Sequence, residues 1–131
     1  MFSDLASVRA ELKTRLAPEV PSEWDISAFI KQPPVEYRSP LIIFEFTRFE
    51  SSANGQALGP GQVAAAIDIV LGSPMSAEDK GEDDVDVLVL SLIRVLDAQS
   101  DIFWDSAEKQ RLESGQWVWR IHTIVLTSSK E

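Results

Sequence analysis

Two stretches of β-branched and aromatic residues, separated by a glycine-rich segment, constrain the fold most strongly. The first, LIIFEFTRFESS (41–52), is rich in residues that favour strands. The second, QVAAAIDIVLGS (62–73), places apolar side chains at every second position. The segment between them, ANGQALGPG (53–61), holds three glycines and a proline and predicts a loop. We therefore expect a long antiparallel hairpin.

The favoured register of this hairpin places Phe44 and Phe46 on the same face as Ile67 and Ile69, because a shift of one residue would exchange the two faces. The opposite face then carries a more polar set, in which Ile43, Glu45 and Thr47 lie beside Ala66, Asp68 and Val70. We interpret Glu45 and Asp68 as markers of the wetter face, with Arg48 as a nearby counter-charge.

Two helices are predicted around the hairpin. Apolar residues at helical spacing indicate a helix over about 4–16, which Pro18 would end. The segment 82–98 contains VDVLVL, which alternates as a strand would. Its length, its acidic first turn and its lack of glycine and proline nevertheless favour a helix.

The remaining segments complete a coarse topology. A short strand near 24–29 precedes a proline-rich connection, 101–114 is interpreted as a partly extended connector, and a closing strand is expected over 116–127. The order of helix, hairpin, helix and strand predicts one α+β domain over 1–131. Its sheet would be antiparallel or mixed, with the helices packed on one face.

Composition narrows the classes of function. The 131 residues are 44% apolar, include no cysteine and carry a formal charge of −9. Disulfides and zinc-thiolate sites are thereby excluded, and tight binding to nucleic acid or to an anionic membrane is disfavoured. There is no apolar run long enough for a membrane span and no signal-peptide pattern, so we expect a protein made and used, or assembled, inside a cell.

A search for catalytic motifs yields little. There is no nucleophile elbow and no phosphate-binding loop, and the one histidine, His122, is expected at a surface or an interface. The acidic run SAEDKGEDDVD (76–86) does not have EF-hand spacing and is interpreted as solvated charge at a helix start. We therefore expect no enzyme activity, no cofactor and no metal. A minor enzyme using Glu45, Asp68 and His122 is the alternative.

The sequence contains more apolar side chains than a single hydrophobic core needs. The helix 82–98 is apolar on more than one side, and two tryptophans point the same way on the closing strand. The tryptophans would either pack under that helix or form an intersubunit surface. The candidate oligomer interface consists of Val87, Leu90, Ile93, Trp117 and Trp119.

The order of these features resembles a known family. It begins with SDLASVRAELKTRLAP, continues with the proline-rich KQPPVEYRSP and closes with LDAQSDIFWDSAEKQRLESGQWVWRIHTIVLTSSKE. Within 96–127, an LDA helix end, Trp104, a connector of mixed charge and a W-R-I-x-T pattern follow one another. Across nearly its full length, the chain resembles the small tail terminator proteins of long-tailed bacteriophages, especially phages that infect actinobacteria.

The resemblance implies a structural role without an enzyme activity or a cofactor. Such proteins form a ring, usually of six subunits, on the head-proximal end of the tail tube, and share their fold with tail tube proteins. The ring stops tube growth and presents a surface to the head-completion or connector protein. The implied partners are further copies of the chain, the tube protein and the connector protein. The implied location is the virion tail, after assembly in the host cytoplasm.

Genomic DNA would pass through such a ring without specific binding, and an acidic lining would keep the passage free of contacts. The candidate lumen residues are Glu45, Asp68, Glu78, Asp79, Glu82 and Asp83. Two other readings remain open. One is another neck protein of the same fold, with a head–tail joining or tail completion role. The other is a cytosolic acidic regulatory protein that binds a basic partner.

Overall fold

The computed structural model describes residues 5–20, 25–27, 41–53, 56–72, 79–111 and 117–128. The elements in chain order are α1 (Leu5–Leu16), a 3-10 turn (Ala17–Glu19), β1 (Asp25–Ser27), β2 (Leu41–Glu50), β3 (Ser52–Ala53), β4 (Gln56–Ala57), β5 (Gln62–Gly72), α2 (Asp79–Asp97), β6 (Ile102–Arg111) and β7 (Trp117–Ser128). The predicted proline-rich connection lies outside the described residues. Neither described helix is long and apolar enough to cross a membrane.

Five of the strands form one mixed sheet in the order β1-β2-β5-β7-β6. β1 runs parallel to β2, and the other neighbouring pairs in this sheet are antiparallel. Both helices share one hydrophobic core with one face of the sheet. The predicted α+β class, with a mixed sheet, a long hairpin and helices on one face, is therefore confirmed.

The core contains side chains from α1, α2 and the sheet. In α1, Val8, Leu12 and Leu16 recur every four residues and are at most 1% exposed. The core members from the sheet and α2 are Ile42, Phe44, Ile67, Ile69, Leu71, Val85, Leu88, Val89, Leu92, Leu96, Ile102, Ile121 and Val125. Because full burial of one such side chain is worth roughly 1.5–3 kcal/mol, this core is the main source of stability.

The β2–β5 hairpin has the predicted register over most of its length. Phe44 pairs with Ile69 and Phe46 with Ile67, so these four residues share the face that the helices cover. The register then shifts between Phe46 and Arg48, which leaves Thr47 at a bulge. Thr47 lies beside Ala66, as expected, and its hydroxyl donates to the carbonyl of Ala66 at 3.1 Å.

The loop between these strands has structure of its own. β3 and β4 form a two-stranded sheet, and the backbone N–H of Gly59 donates to the side-chain oxygen of Gln62 at 3.0 Å. Gly61 has a φ of 78°, a left-handed conformation that glycine adopts without strain. Glycine is therefore required where the chain enters β5.

The structure corrects the prediction for 101–114. This segment is not a connector, because Ile102–Arg111 forms β6, a ten-residue strand at the edge of the sheet. The pairing of β6 with β7 shifts register between Trp104 and Ser106, which places a bulge at Asp105. Alternation is therefore interrupted after Trp104, and the second half of β6 is largely polar. Both features obscured the strand in the sequence.

Candidate functional site

The sheet face that points away from the helices carries charged side chains on adjacent strands. Strand pairing aligns Glu45 of β2 with Asp68 of β5, and Asp68 with His122 of β7. Arg120 lies two residues before His122 and so points to the same side. We call Glu45, Asp68, Arg120 and His122 the outer-face cluster. Three of its four members come from the sequence-predicted candidates, now brought together in space.

Arg120 holds the two carboxylates of the outer-face cluster. Its Nη1 donates to Asp68 Oδ2 at 2.8 Å and to Glu45 Oε2 at 3.2 Å. Asp68 is the most enclosed member, with a side chain that is 10% exposed. Burial alone would lower the pKa of Arg120, but the hydrogen bonds and charges of Asp68 and Glu45 outweigh burial and raise it. Arg120 is therefore a permanent cation between two anions.

Arg48 lines the same cleft as Asp68, so the predicted counter-charge does lie nearby. Its Nε donates to Glu50 Oε1 at 2.8 Å, whereas the hydrogen bonds to Asp68 and Glu45 come from Arg120. The bulge at Thr47 sets Arg48 opposite Ala66, which places Arg48 on the outer face. Finding Arg120 from the sequence required the pairing of β5 with β7, which the sequence pattern did not predict.

His122 lies between carboxylates from two neighbouring strands. Its Nδ1 is 2.8 Å from Asp68 Oδ1, and its Nε2 is 3.8 Å from Glu108 Oε2 on β6. The imidazole also lines a cleft of about 310 Å³ together with Arg48, Asp105 and Ser106. A carboxylate that orients an imidazole is part of a general-base arrangement. Among the described residues, the hydrogen bond and ion pair of the imidazole are with these two carboxylates, whereas Ser106 shares the cleft with it.

The candidate acidic lumen set is divided between two layers of the fold. Glu45 and Asp68 lie on the outer sheet face and are ion-paired with Arg120. Asp79, Glu82 and Asp83 fall in the first turns of α2, in the helical layer on the other face. Glu78 lies outside the described residues. Two of the candidate lumen residues therefore belong to sheet strands, and three belong to α2.

The three candidate interface residues on α2 differ in their exposure to solvent. Val87 is 66% exposed and Leu90 is 49% exposed, so both remain on the surface of the subunit. Ile93 is half-buried and packs against the core. The opposite side of the same helix is the part that fills the core. α2 is therefore apolar on two sides, as its sequence predicted.

Of the two tryptophans on β7, Trp119 packs inside the fold, unlike the exposed residues of α2. Trp119 packs against the core, and its Nε1 donates to Asp86 Oδ1 of α2 at 2.7 Å. Lys109 of β6 lies 3.4 Å from Asp86 Oδ1 and 5.9 Å from the centre of the Trp119 ring. Trp119 therefore anchors α2 to the sheet, which supports the core-packing reading for this residue. Trp117 begins β7, and its side chain lies outside the described part of the chain.

Other exposed apolar residues did not appear in the predicted interface. Phe49 is 58% exposed, and Val63 and Trp104 are each 37% exposed. The ring of Phe49 contacts that of Phe46 with centroids 4.7 Å apart. Because the bulge at Thr47 reverses the alternation, Phe49 pairs with Ala65 on the helix-covered side, near the end of the sheet.

Comparisons with known proteins do not assign the chain to a family. No protein-family model matches the sequence, and no curated protein matches it significantly. Within the described ranges, no group of three or more histidine, aspartate or glutamate residues is placed to hold a metal ion. Functional interpretation therefore depends on the sequence resemblance and on the surfaces described above.

Proposed function

We propose that the chain is a ring-forming structural protein of a phage tail, equivalent to a tail terminator. It would cap the head-proximal end of the tail tube, stop tube polymerisation and provide the docking surface for the head connector. The order of sequence features supports this proposal. The observation that carries it is the exposure of Val87 (66%) and Leu90 (49%) on a helix whose other side fills the core.

A ring of identical subunits requires two unlike surfaces on each copy, because its contacts run head to tail. The exposed part of α2 begins beside Asp86, whose carboxylate accepts a hydrogen bond from Trp119 of β7. Trp119 pairs with Leu71 of β5, so this part of α2 lies at the level of Leu71 in the sheet. Phe49 is opposite Ala65, six residues away from Leu71 along the same strand. Six residues of strand correspond to roughly 20 Å. The α2 surface and the hairpin end are thus two separate apolar surfaces, as a head-to-tail contact requires.

Within the proposed ring, the acidic channel lining is placed at the start of α2 and not on the outer sheet face. Arg120 already compensates Glu45 and Asp68, so these residues would present little free negative charge to passing DNA. Reversing Asp68 to lysine would also place a cation beside Arg120 and disturb the sheet. The start of α2, with Asp79, Glu82 and Asp83, is therefore the better place for charge reversal. Unchanged DNA ejection by Glu82→Lys/Asp83→Lys particles would argue against an acidic lining there.

The oligomeric state tests the proposed ring. Native mass spectrometry of the wild-type chain, alone and with tube protein, should show a ring-sized oligomer, and six copies are expected. Val87→Glu/Leu90→Glu should shift that species to monomer, because carboxylates would be buried at the contact. Ala10→Glu/Thr14→Glu adds the same charge at exposed positions of α1 and should leave the ring intact. A wild-type chain that stays monomeric in both conditions would contradict the proposal.

Electron microscopy of particles lacking the protein separates the terminator from the other neck roles. A missing terminator gives overlong tails, because tube subunits continue to add. A missing joining protein gives tails of normal length that are not attached to heads. A cytosolic acidic binding protein would leave particle assembly unaffected. Overlong tails are the expected result, and either other outcome would replace the terminator role.

A further inference from the structure

His122 joins three strands through its two ring nitrogens. Nδ1 faces Asp68 on β5 at 2.8 Å, and Nε2 faces Glu108 on β6 at 3.8 Å. Asp68 accepts a hydrogen bond from Arg120, and a carboxylate can only accept hydrogen bonds. The proton of a neutral imidazole is therefore assigned to Nδ1, where it completes the short contact. Nε2 then presents a lone pair to the Glu108 carboxylate and makes no hydrogen bond with it.

We propose that His122 is a proton-operated clasp for the edge strand β6. Protonation adds an N–H at Nε2, which turns this nitrogen into a donor directed at Glu108. The 3.8 Å separation can then contract to a charge-assisted hydrogen bond between β7 and β6. Histidine is the side chain that ordinarily changes charge between pH 5 and 8. This inference does not depend on the proposed ring.

The surrounding charges leave Glu108 as the acceptor for the new N–H. The charged groups that face this region are Glu45 and Arg48 of β2, Asp68 of β5, Asp105 and Glu108 of β6 and Arg120 of β7. Arg120 is held by Glu45 and Asp68, and Arg48 is held by Glu50. Asp68 already binds Nδ1. Glu108 is the carboxylate placed at Nε2.

A hydrogen bond from His122 to Glu108 would stabilise β6 in particular, because β6 has only one strand neighbour in the described sheet. Strands at an edge open more readily than central strands. Glu108 is 61% exposed, so solvent screens the new ion pair. An exposed pair of this kind should slow local opening of β6 by about two- to fivefold.

Amide hydrogen exchange measured by NMR tests the clasp. Protection factors, corrected for the intrinsic pH dependence of exchange, should rise about two- to fivefold in β6 between pH 8.0 and 5.5. Amides of central strand β5 serve as the internal reference. Because His122 is the chain's single histidine, its ring nitrogens can be followed without ambiguity. Their shifts should show a proton on Nδ1 in the neutral form.

Two variants on β6 separate the clasp from a general charge effect. Glu108→Gln lies at an exposed position, should fold normally and should abolish the gain in protection. Asp105→Asn removes a carboxylate from the same cleft and should retain the gain. An equal gain in Glu108→Gln would overturn the proposal. So would a neutral imidazole that carries its proton on Nε2.

Discussion

The two faces of the sheet carry different side chains at neighbouring positions of the same three strands: one face is apolar and the other is charged. On the helix-covered face, the central row is Phe44, Ile69 and Ile121. One residue along each strand, the outer face carries Glu45, Asp68 and His122. The first row is stabilised by removal of apolar area from water, whereas the second depends on hydrogen bonds between charged groups. Substitutions should therefore act on the two rows by different mechanisms.

The largest expected loss of stability comes from removing a large side chain from the apolar row. Phe44 is 1% exposed, and Phe44→Ala should lower the free energy of unfolding by about 3–5 kcal/mol through lost burial and a residual cavity. Urea unfolding measures this loss. Phe49→Ala removes the same ring from the same strand where it is 58% exposed, and should cost less than about 1.5 kcal/mol. Equal losses in the two variants would mean that Phe49 is covered.

The next largest effect is expected from breaking the charged row. Asp68→Ala leaves Arg120 with Glu45 alone and removes the partner of His122 Nδ1. We expect a loss of about 2–3 kcal/mol, because part-buried donors remain unsatisfied. A double-mutant cycle with Arg120→Met should give a coupling energy of about 1–3 kcal/mol. A coupling near zero would show that water already solvates this pair.

These two rows also show how far the sequence predicts the fold. Alternation and loop chemistry predicted the β2–β5 pairing and the shared face of Phe44 and Ile69, because the information is local. The pairing of β5 with β7 joins residues that are distant in sequence, from Gly72 with Val118 to Gln62 with Ser128, and no local pattern encodes it. Arg120 could not be assigned to the site without that pairing, and Glu108 could not be assigned while β6 was interpreted as a connector. Bulges at Thr47 and Asp105 further concealed the register.

A smaller loss of stability is expected from removing the hydrogen bond that joins α2 to the sheet. Trp119→Phe keeps most of the apolar ring but removes the hydrogen bond to Asp86, which is 2.7 Å long. The variant should lose about 1 kcal/mol in urea unfolding, because Asp86 retains Lys109 as a partner. Asp86→Asn, which keeps an acceptor for the indole, should lose less. A larger loss in Asp86→Asn would assign the stabilisation to the ion pair instead.

An ion pair outside both rows should show a weaker, pH-dependent effect. Arg15 Nη1 of α1 donates to Asp101 Oδ1 at 2.9 Å. The hydrogen bond from Arg15 holds the pKa of Asp101 below its ordinary value of 3.8. The pair should therefore contribute its full stabilisation, about 0.5–1 kcal/mol, above pH 3.8 and lose it as pH falls through the lower pKa of the folded state.

Urea unfolding of wild type and Arg15→Met at several pH values measures that contribution. The difference in unfolding free energy should be constant near neutral pH and shrink in acid once Asp101 is protonated. Thr14→Met, an exposed change at the neighbouring position of α1, should show no such pH dependence. A difference between wild type and Arg15→Met that persists at pH 2 would assign the stabilisation to the Arg15 contacts with Gln99 and Glu11.

The smallest effect on folding is expected on the exposed side of α2. Val87→Ser/Leu90→Ser should change the unfolding free energy of the dissociated subunit by no more than about 1 kcal/mol, because both side chains already face solvent. Leu92→Ser, on the buried side of the same helix, should cost several times more. On the proposed function, the double variant should also lower the yield of rings while leaving the subunit folded. A loss in the dissociated subunit as large as that of Leu92→Ser would mean that the subunit itself covers these side chains, leaving no apolar surface on α2 for a neighbouring copy.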